Sequence, residues 1–158
     1  MQRLFSVGLT LLAIVVLGLA QEKTPHIALT AGEVKWGPAP PSLPKGAQIA
    51  VVSGDPSKSG PFAIRLKFPA GFRVPPHWHP TDEHVTVLSG TIAFGMGEKF
   101  DKTAMKVMTA GGYAMMPAEM RHFALAKTAV TLQVHGVGPF VLNYVNPADD
   151  PAKVNTSK

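Results

Sequence analysis

The 158-residue chain contains no cysteine, so it can form no disulfide and offers no thiol for a lipid anchor. Charge is scarce: Asp, Glu, Lys and Arg together make up 16% of the residues. The cations are scattered, and Lys23, Lys35, Lys45, Lys58, Lys67, Lys99, Lys106 and Lys127 form neither a stripe nor a pattern interleaved with aromatics. The formal net charge of +5 therefore describes a solvated surface, and nucleic acid is not an expected partner. The chain also lacks an internal repeat, a collagen-like glycine period and a helical hydrophobic period. A single Arg3 stands near the start, so there is no twin-arginine signal, and the length leaves no room for a second full domain.

What is present is 15 Gly and 15 Pro in a chain that is 46% hydrophobic. That density of breakers excludes a helical bundle and suits short strands joined by turns. Residues 1–20 read as a secretory signal peptide. Arg3 gives a positive start, residues 4–19 an apolar run, and Gly18 and Ala20 the small residues before a cut at Gln21. A retained membrane anchor is the alternative, disfavoured because the run is short for a span and has no basic flank. With the leader cleaved, export to the periplasm or the outside is expected, with no stable membrane span. Residues 21–46 read as an extended arm rich in proline, able to lie along an edge strand or reach a partner subunit. Residues 147–158 read as a loose tail.

Between arm and tail, residues 47–146, apolar runs alternate with turn signals. Strands are expected near 47–52, 62–68, 83–88, 91–95, 105–108, 113–116, 122–126, 129–135 and 140–145, with one helical turn allowed within 97–103. This is an all-β pattern of antiparallel strands, a sandwich or a barrel.

The chemistry concentrates in residues 71–83. Neighbours two apart on an extended strand share a face, so His77 and His79 can present two imidazoles together while Trp78 points away. Glu83 opens the next run in phase with Val85 and Val87, and His122 lies on a later strand behind a Gly-Gly turn. Three neutral imidazoles and one carboxylate suit a divalent ion such as Mn, Fe, Ni, Co or Zn, with coordination positions left open. Any one of these histidines taken alone is more simply a satisfied core or surface residue; the set of four changes that.

Gly71, His77, His79, Glu83 and Gly90 occupy every fixed position of the first motif of the cupin superfamily, and the chain resembles a single-domain bacterial cupin. Gly111, Pro117 and His122 match the second motif, whereas Glu119 replaces its turn glycine and Ala126 its final Asn. The resemblance implies a jelly-roll barrel, a cupin-like double-stranded β-helix, with one metal ion held inside by His77, His79, Glu83 and His122. It also implies a frequent homodimer, to which the arm is a plausible contributor. A non-Gly residue at the turn position costs on the order of 1 kcal/mol if positive φ is required, so Glu119 bears on the loop more than on the metal.

Other residues carry weaker signals. Gln133 and His135 share one face of a late strand and are candidates for the pocket, although Val130, Leu132 and Val134 on the other face would fill a core equally well. Ala124 and Ala126 lie in phase with His122 and leave room near the metal. Met115, Met116 and Met120 flank the ligand strand; they read as core filling, with Met116 also a candidate pocket wall. His84 reads as surface or interface, Asp82 as a turn residue, and Arg65 and Lys67 as a solvated face.

The functional expectation is an exported metal-dependent enzyme of the dioxygenase type acting on a small organic molecule. A non-catalytic barrel that binds a metal or small ligand, as a sensor or scavenger, is the alternative, as is a metal-dependent isomerase or lyase. A purely structural barrel is the least favoured. After export, Zn and Cu would compete with Mn and Fe for the site.

Overall fold

The repeating unit of the fold is a strand that buries every second side chain. In Gly60–Phe68, Phe62, Ile64, Leu66 and Phe68 face inward while Ala63, Arg65 and Lys67 face out. The computed structural model describes residues 26–154; the leader, the start of the arm and the last four residues, and with them the signal-peptide reading, lie outside the described residues. Eleven strands follow in order: β1 (Gly37–Pro38), β2 (Gln48–Ser53), β3 (Gly60–Phe68), β4 (Arg73–Trp78), β5 (Glu83–Ser89), β6 (Thr91–Met96), β7 (Met105–Thr109), β8 (Tyr113–Met116), β9 (His122–Ala126), β10 (Val130–Gly138) and β11 (Asn143–Tyr144). They form a six-stranded sheet, ordered β1-β2-β3-β10-β5-β8, and a five-stranded sheet, ordered β11-β4-β9-β6-β7. Every pairing is antiparallel. The all-β jelly roll expected from the sequence is the fold.

The inward faces of the two sheets close on one apolar core. Phe62, Ile64 and Leu66 of β3 meet Val85 and Val87 of β5, Ile92 and Phe94 of β6, and Leu132 and Val134 of β10. Burying each of these side chains contributes about 1.5–3 kcal/mol. The chain crosses from β5 in one sheet to β6 in the other at Gly90, whose φ is 79°; a Cβ there would stand 2.1 Å from the Ala129 carbonyl oxygen, so glycine is required on both counts.

The expected strands stand within three residues of their places, with one exception: the run 140–145 is reduced to the two residues of β11. Two strands were not among those expected. β1 is the arm, paired with β2 through Gly37 opposite Ile49 and Pro38 opposite Gln48. β4 carries two prolines, and its register against β9 shifts between Val74 and His77. Proline cannot donate to a ladder and collects at edges and bulges, so Pro75-Pro76 marks the irregularity. The segment from Pro147, read as loose, is instead wound into a 3-10 turn, Pro147–Asp149, and a helical turn, Pro151–Val154. Asn146 caps the first by accepting from the Ala148 N–H at 3.1 Å. Among the described residues no helix is long and apolar enough to cross a membrane.

Candidate metal centre

The bulge in β4 decides where the imidazoles point. Val74 faces the core, so strict alternation would send Pro76 and Trp78 inward; the shift of phase between Val74 and His77 turns His77 and His79 in and leaves Trp78 half-buried. His77 stands opposite His122 across the β4–β9 pair, with ring centroids 4.1 Å apart. His79 follows one residue past the end of β4. Glu83, the first residue of β5, shares its inward phase with Val85 and Val87. All four residues are buried, none more than 8% exposed.

Each imidazole commits its Nδ1–H to a backbone carbonyl. His77 donates to Pro75 at 2.7 Å, His79 to Val141 at 2.8 Å and His122 to Met120 at 2.9 Å. A carbonyl can only accept, so each ring is held as the Nδ1–H tautomer and its Nε2 lone pair is left free. The three rings bring one ligand nitrogen each to within 4.8 Å of one another. The Nε2 atoms of His79 and His122 are fully buried and have no hydrogen-bond partner. Glu83 Oε2 lies 3.2 Å from Nε2 of His122 and 3.7 Å from Nε2 of His79, and neither nitrogen is hydrogen-bonded to it.

Buried lone pairs facing a carboxylate are costly unless something positive lies between them. Burial, reinforced by the His122 and His79 imidazoles, pushes His77 down to about 3, so it does not supply that charge as a proton. Burial lowers His79 as well, against the pull of Glu83. For Glu83 burial acts upward, but His122, His79 and His77 together outweigh it, and the carboxyl sits below its usual range as an anion. Neutral imidazoles with aimed Nε2 atoms and one carboxylate are the donor set of a divalent transition metal, and these residues fit one.

The four residues line a cavity of about 140 Å³ between the two sheets. Apolar side chains make most of its wall, among them Leu66, Ile92, Phe94, Leu132 and Val134, and among the described residues Ser42 is the one polar residue lining it beyond the four. Of the weaker candidates, Ala124 lines the cavity, as expected from its phase with His122. Met116 is buried in the core beside Glu83's strand but does not line the cavity. The pocket role considered for Gln133 and His135 is corrected. β10 pairs Leu132 with Val87 and Leu66, which turns the apolar face of the strand inward and places Gln133 and His135 outside. Gln133 accepts from Arg65 Nε at 3.3 Å, and His135 stacks on His84 with centroids 4.8 Å apart. Met115 and Met120, read as core, are exposed: Met115 takes the outward phase of β8, next to the inward Met116, and Met120 lies in the loop beyond the strand.

Two contributors were not anticipated. Asp82 is more than a turn residue: its Oδ1 accepts from the Ala118 N–H at 2.7 Å, tying the loop before Glu83 to the loop before His122. The second link is the Glu119 N–H, which donates to the His79 carbonyl at 2.7 Å. Glu119 does this at φ 64°, the only positive φ on a non-glycine among the described residues, so the glycine of the motif is replaced without changing the turn. The closing segment is the other contributor. Phe140 stacks on His79 with centroids 4.2 Å apart, next to the Val141 carbonyl that fixes that ring. An apolar run after β10 was visible in the sequence, but nothing local linked it to His79.

No curated protein matches the chain. Among solved structures, it is similar to the polyketide cyclase RemF from Streptomyces resistomycificus, at 14% identity and TM-score 0.67 over 84% of this chain and 94% of that one. It is similar to a putative acetylacetone dioxygenase from Methylibium petroleiphilum PM1, at 20% identity and TM-score 0.63 over 83% and 88% of the two chains. An RmlC-like cupin from Shewanella frigidimarina aligns at 16% identity and TM-score 0.56 over 74% and 94%. At these identities the likeness establishes the cupin fold. The family described as a domain of unknown function (DUF4437) matches residues 22–151, and the chain belongs to that family, built on a cupin barrel.

Proposed function

We propose that the protein is an exported metal-dependent cupin enzyme, an oxidoreductase of the dioxygenase type acting on a small organic molecule. The observation that carries the metal is the trio of Nε2 atoms, each aimed by an Nδ1–H bond to a backbone carbonyl and two of them buried without a partner. His77, His79, His122 and Glu83 would hold one divalent ion, of Mn, Fe, Ni, Co, Zn or Cu. When bound, the ion supplies Lewis acidity and, if it is redox-active, access to dioxygen chemistry. With one carboxylate ligand the centre keeps a charge near +1, which draws a single anionic oxygen of a substrate.

The chain's own residues do the rest. The apolar wall excludes water, and the backbone-anchored imidazoles hold their orientation through any change of bound ligand. Among the described residues no lysine, arginine or second carboxylate lines the cavity, so proton transfer falls to Glu83 or to the substrate itself. Dioxygen is the oxidant in this reading, with both of its atoms entering the product. Support for the dioxygenase class comes from the fold shared with the putative acetylacetone dioxygenase.

The test is elemental analysis of exported protein, followed by oxygen uptake by Fe- or Mn-loaded protein against phenolic, dicarbonyl and enediol panels. Near-stoichiometric metal with uptake on one panel supports the proposal; stoichiometric metal with no uptake on any panel rejects the dioxygenase. The lack of an acid or base in the cavity beyond the metal set also favours a second reading, a barrel that binds a ligand without turnover. A compound that raises the melting temperature and is recovered unchanged would establish it.

A further inference from the structure

We infer that the arm is part of the substrate site: residues 38–47 form a strap across the barrel mouth that selects a ring-sized, largely apolar molecule with at most one negative charge. This rests on reading the cavity as a metal-dependent site. Pro40, Ser42 and Leu43 of the strap line the same cavity as the three imidazoles. The strap is fixed at both ends and in the middle. Ala39 N–H donates to Ala47 at 3.1 Å, Leu43 N–H to Pro40 at 2.9 Å, and β1 joins β2. The central tie is Tyr144, whose hydroxyl donates to the Ser42 carbonyl at 2.7 Å. Tyr144 stands opposite His77 in the β11–β4 pair, so one residue pair links the strap to a metal-ligating position.

Leu43 sets the size limit. Besides the metal cavity, it borders a second, partly open space of about 230 Å³ lined by Pro38, Pro44, Ala47 and Pro151. Leu43, with Pro40, lines both spaces, so shortening it is expected to widen the metal cavity toward the second. The metal cavity is partly open, and its volume of about 140 Å³ is on the scale of the roughly 150 Å³ that takes one benzene. Charge sets the other limit. Among the described residues the only charged side chain lining the cavity is Glu83, and no cationic side chain does. A dication there leaves about one positive charge to offset, so a second anionic group would be buried without a partner.

The test uses the full chain loaded with metal and three probes: catechol, 4-tert-butylcatechol and phthalate. Binding is read by calorimetric titration and by ligand-induced melting shifts. Wild type is expected to bind catechol and to reject the bulkier diol and the dianion by roughly tenfold or more. Leu43→Ala should narrow the discrimination between the two diols to a few-fold, Leu43→Phe should weaken catechol, and Tyr144→Phe should weaken catechol with metal content unchanged. Leu43→Phe keeps the apolar packing and carries the test if Leu43→Ala fails to fold. Equal binding of both diols by wild type and both Leu43 variants, at full metal content, would overturn the strap, and phthalate binding as tight as catechol would overturn the charge limit. Failure of wild type to load any metal would instead overturn the reading on which the proposal rests.

Discussion

Two groups of histidines sit on opposite faces of the same barrel. Inside, His77, His79 and His122 give their Nδ1–H groups to backbone carbonyls, and His79 and His122 bring their Nε2 atoms to the Glu83 carboxylate. Outside, His84 and His135 stack on each other across β5 and β10, and His84 Nδ1 is 2.6 Å from the Tyr113 hydroxyl. Glu83 and His84 are chain neighbours, yet one belongs to each group. The same side-chain chemistry becomes a candidate metal centre or a solvated surface according to strand phase, because the alternation of a strand sends adjacent residues to opposite dielectric environments.

The comparison is broken most directly by metal content. His77→Ala and His122→Ala are each expected to abolish near-stoichiometric metal, whereas His84→Ala and His135→Ala leave it intact; elemental analysis of the four proteins decides. Loss of metal in an outer variant, or its retention in an inner one, would refute the division. Glu83→Gln tests the carboxylate within the inner group. Metal affinity should fall by more than the roughly 10–100-fold that the loss of an outer-sphere partner costs, as measured by competition with a chelator.

Acid sharpens the contrast further. The native His77 titrates near 3 and an unfolded histidine near 6.5, so below 6.5 the unfolded chain takes up a proton that the native site refuses. The stability tied to neutral His77 is thus full above pH 6.5 and is lost as the pH falls toward 3. Melting of metal-free protein between pH 8 and 4 should show the decline, and His77→Gln should flatten it. A profile unaltered by that change would show that His77 is not responsible.

The smallest effect is expected at Glu119. Glycine removes the positive-φ strain of about 1 kcal/mol but loosens the unfolded chain, so Glu119→Gly should raise the melting temperature by no more than a few degrees. Metal content should not change, because Glu119 reaches the centre through its backbone N–H alone. A drop in metal content would assign its side chain a role that the geometry does not give it.

Much of the site was legible because it is written in short-range spacing. His77, His79 and Glu83 lie within seven consecutive residues, and a strand's period of two constrains which of them share a face. Glu119 was legible in the same way, as the wrong residue at a glycine position, and the turn keeps its positive φ. Gln133 and His135 misled because period two gives two faces without saying which is inside; the apolar face of Val130, Leu132 and Val134 was the better guide, since burying it removes more apolar area from water. The phase of His77 itself depended on a bulge at Pro75-Pro76, which a strictly alternating strand does not contain.

By itself, then, the sequence determined the all-β class, the four candidate ligands and the odd residue at the turn, all from patterns spanning a few residues. Only the tertiary structure decided that Tyr144 would tie Ser42 down across 102 positions, that Val141 would hold His79 across 62, and that the arm would wall the cavity. Those contacts join segments whose local sequences carry no record of one another. They exist because closing two sheets over one core brings the arm, the closing segment and the ligand strand to the same end of the barrel.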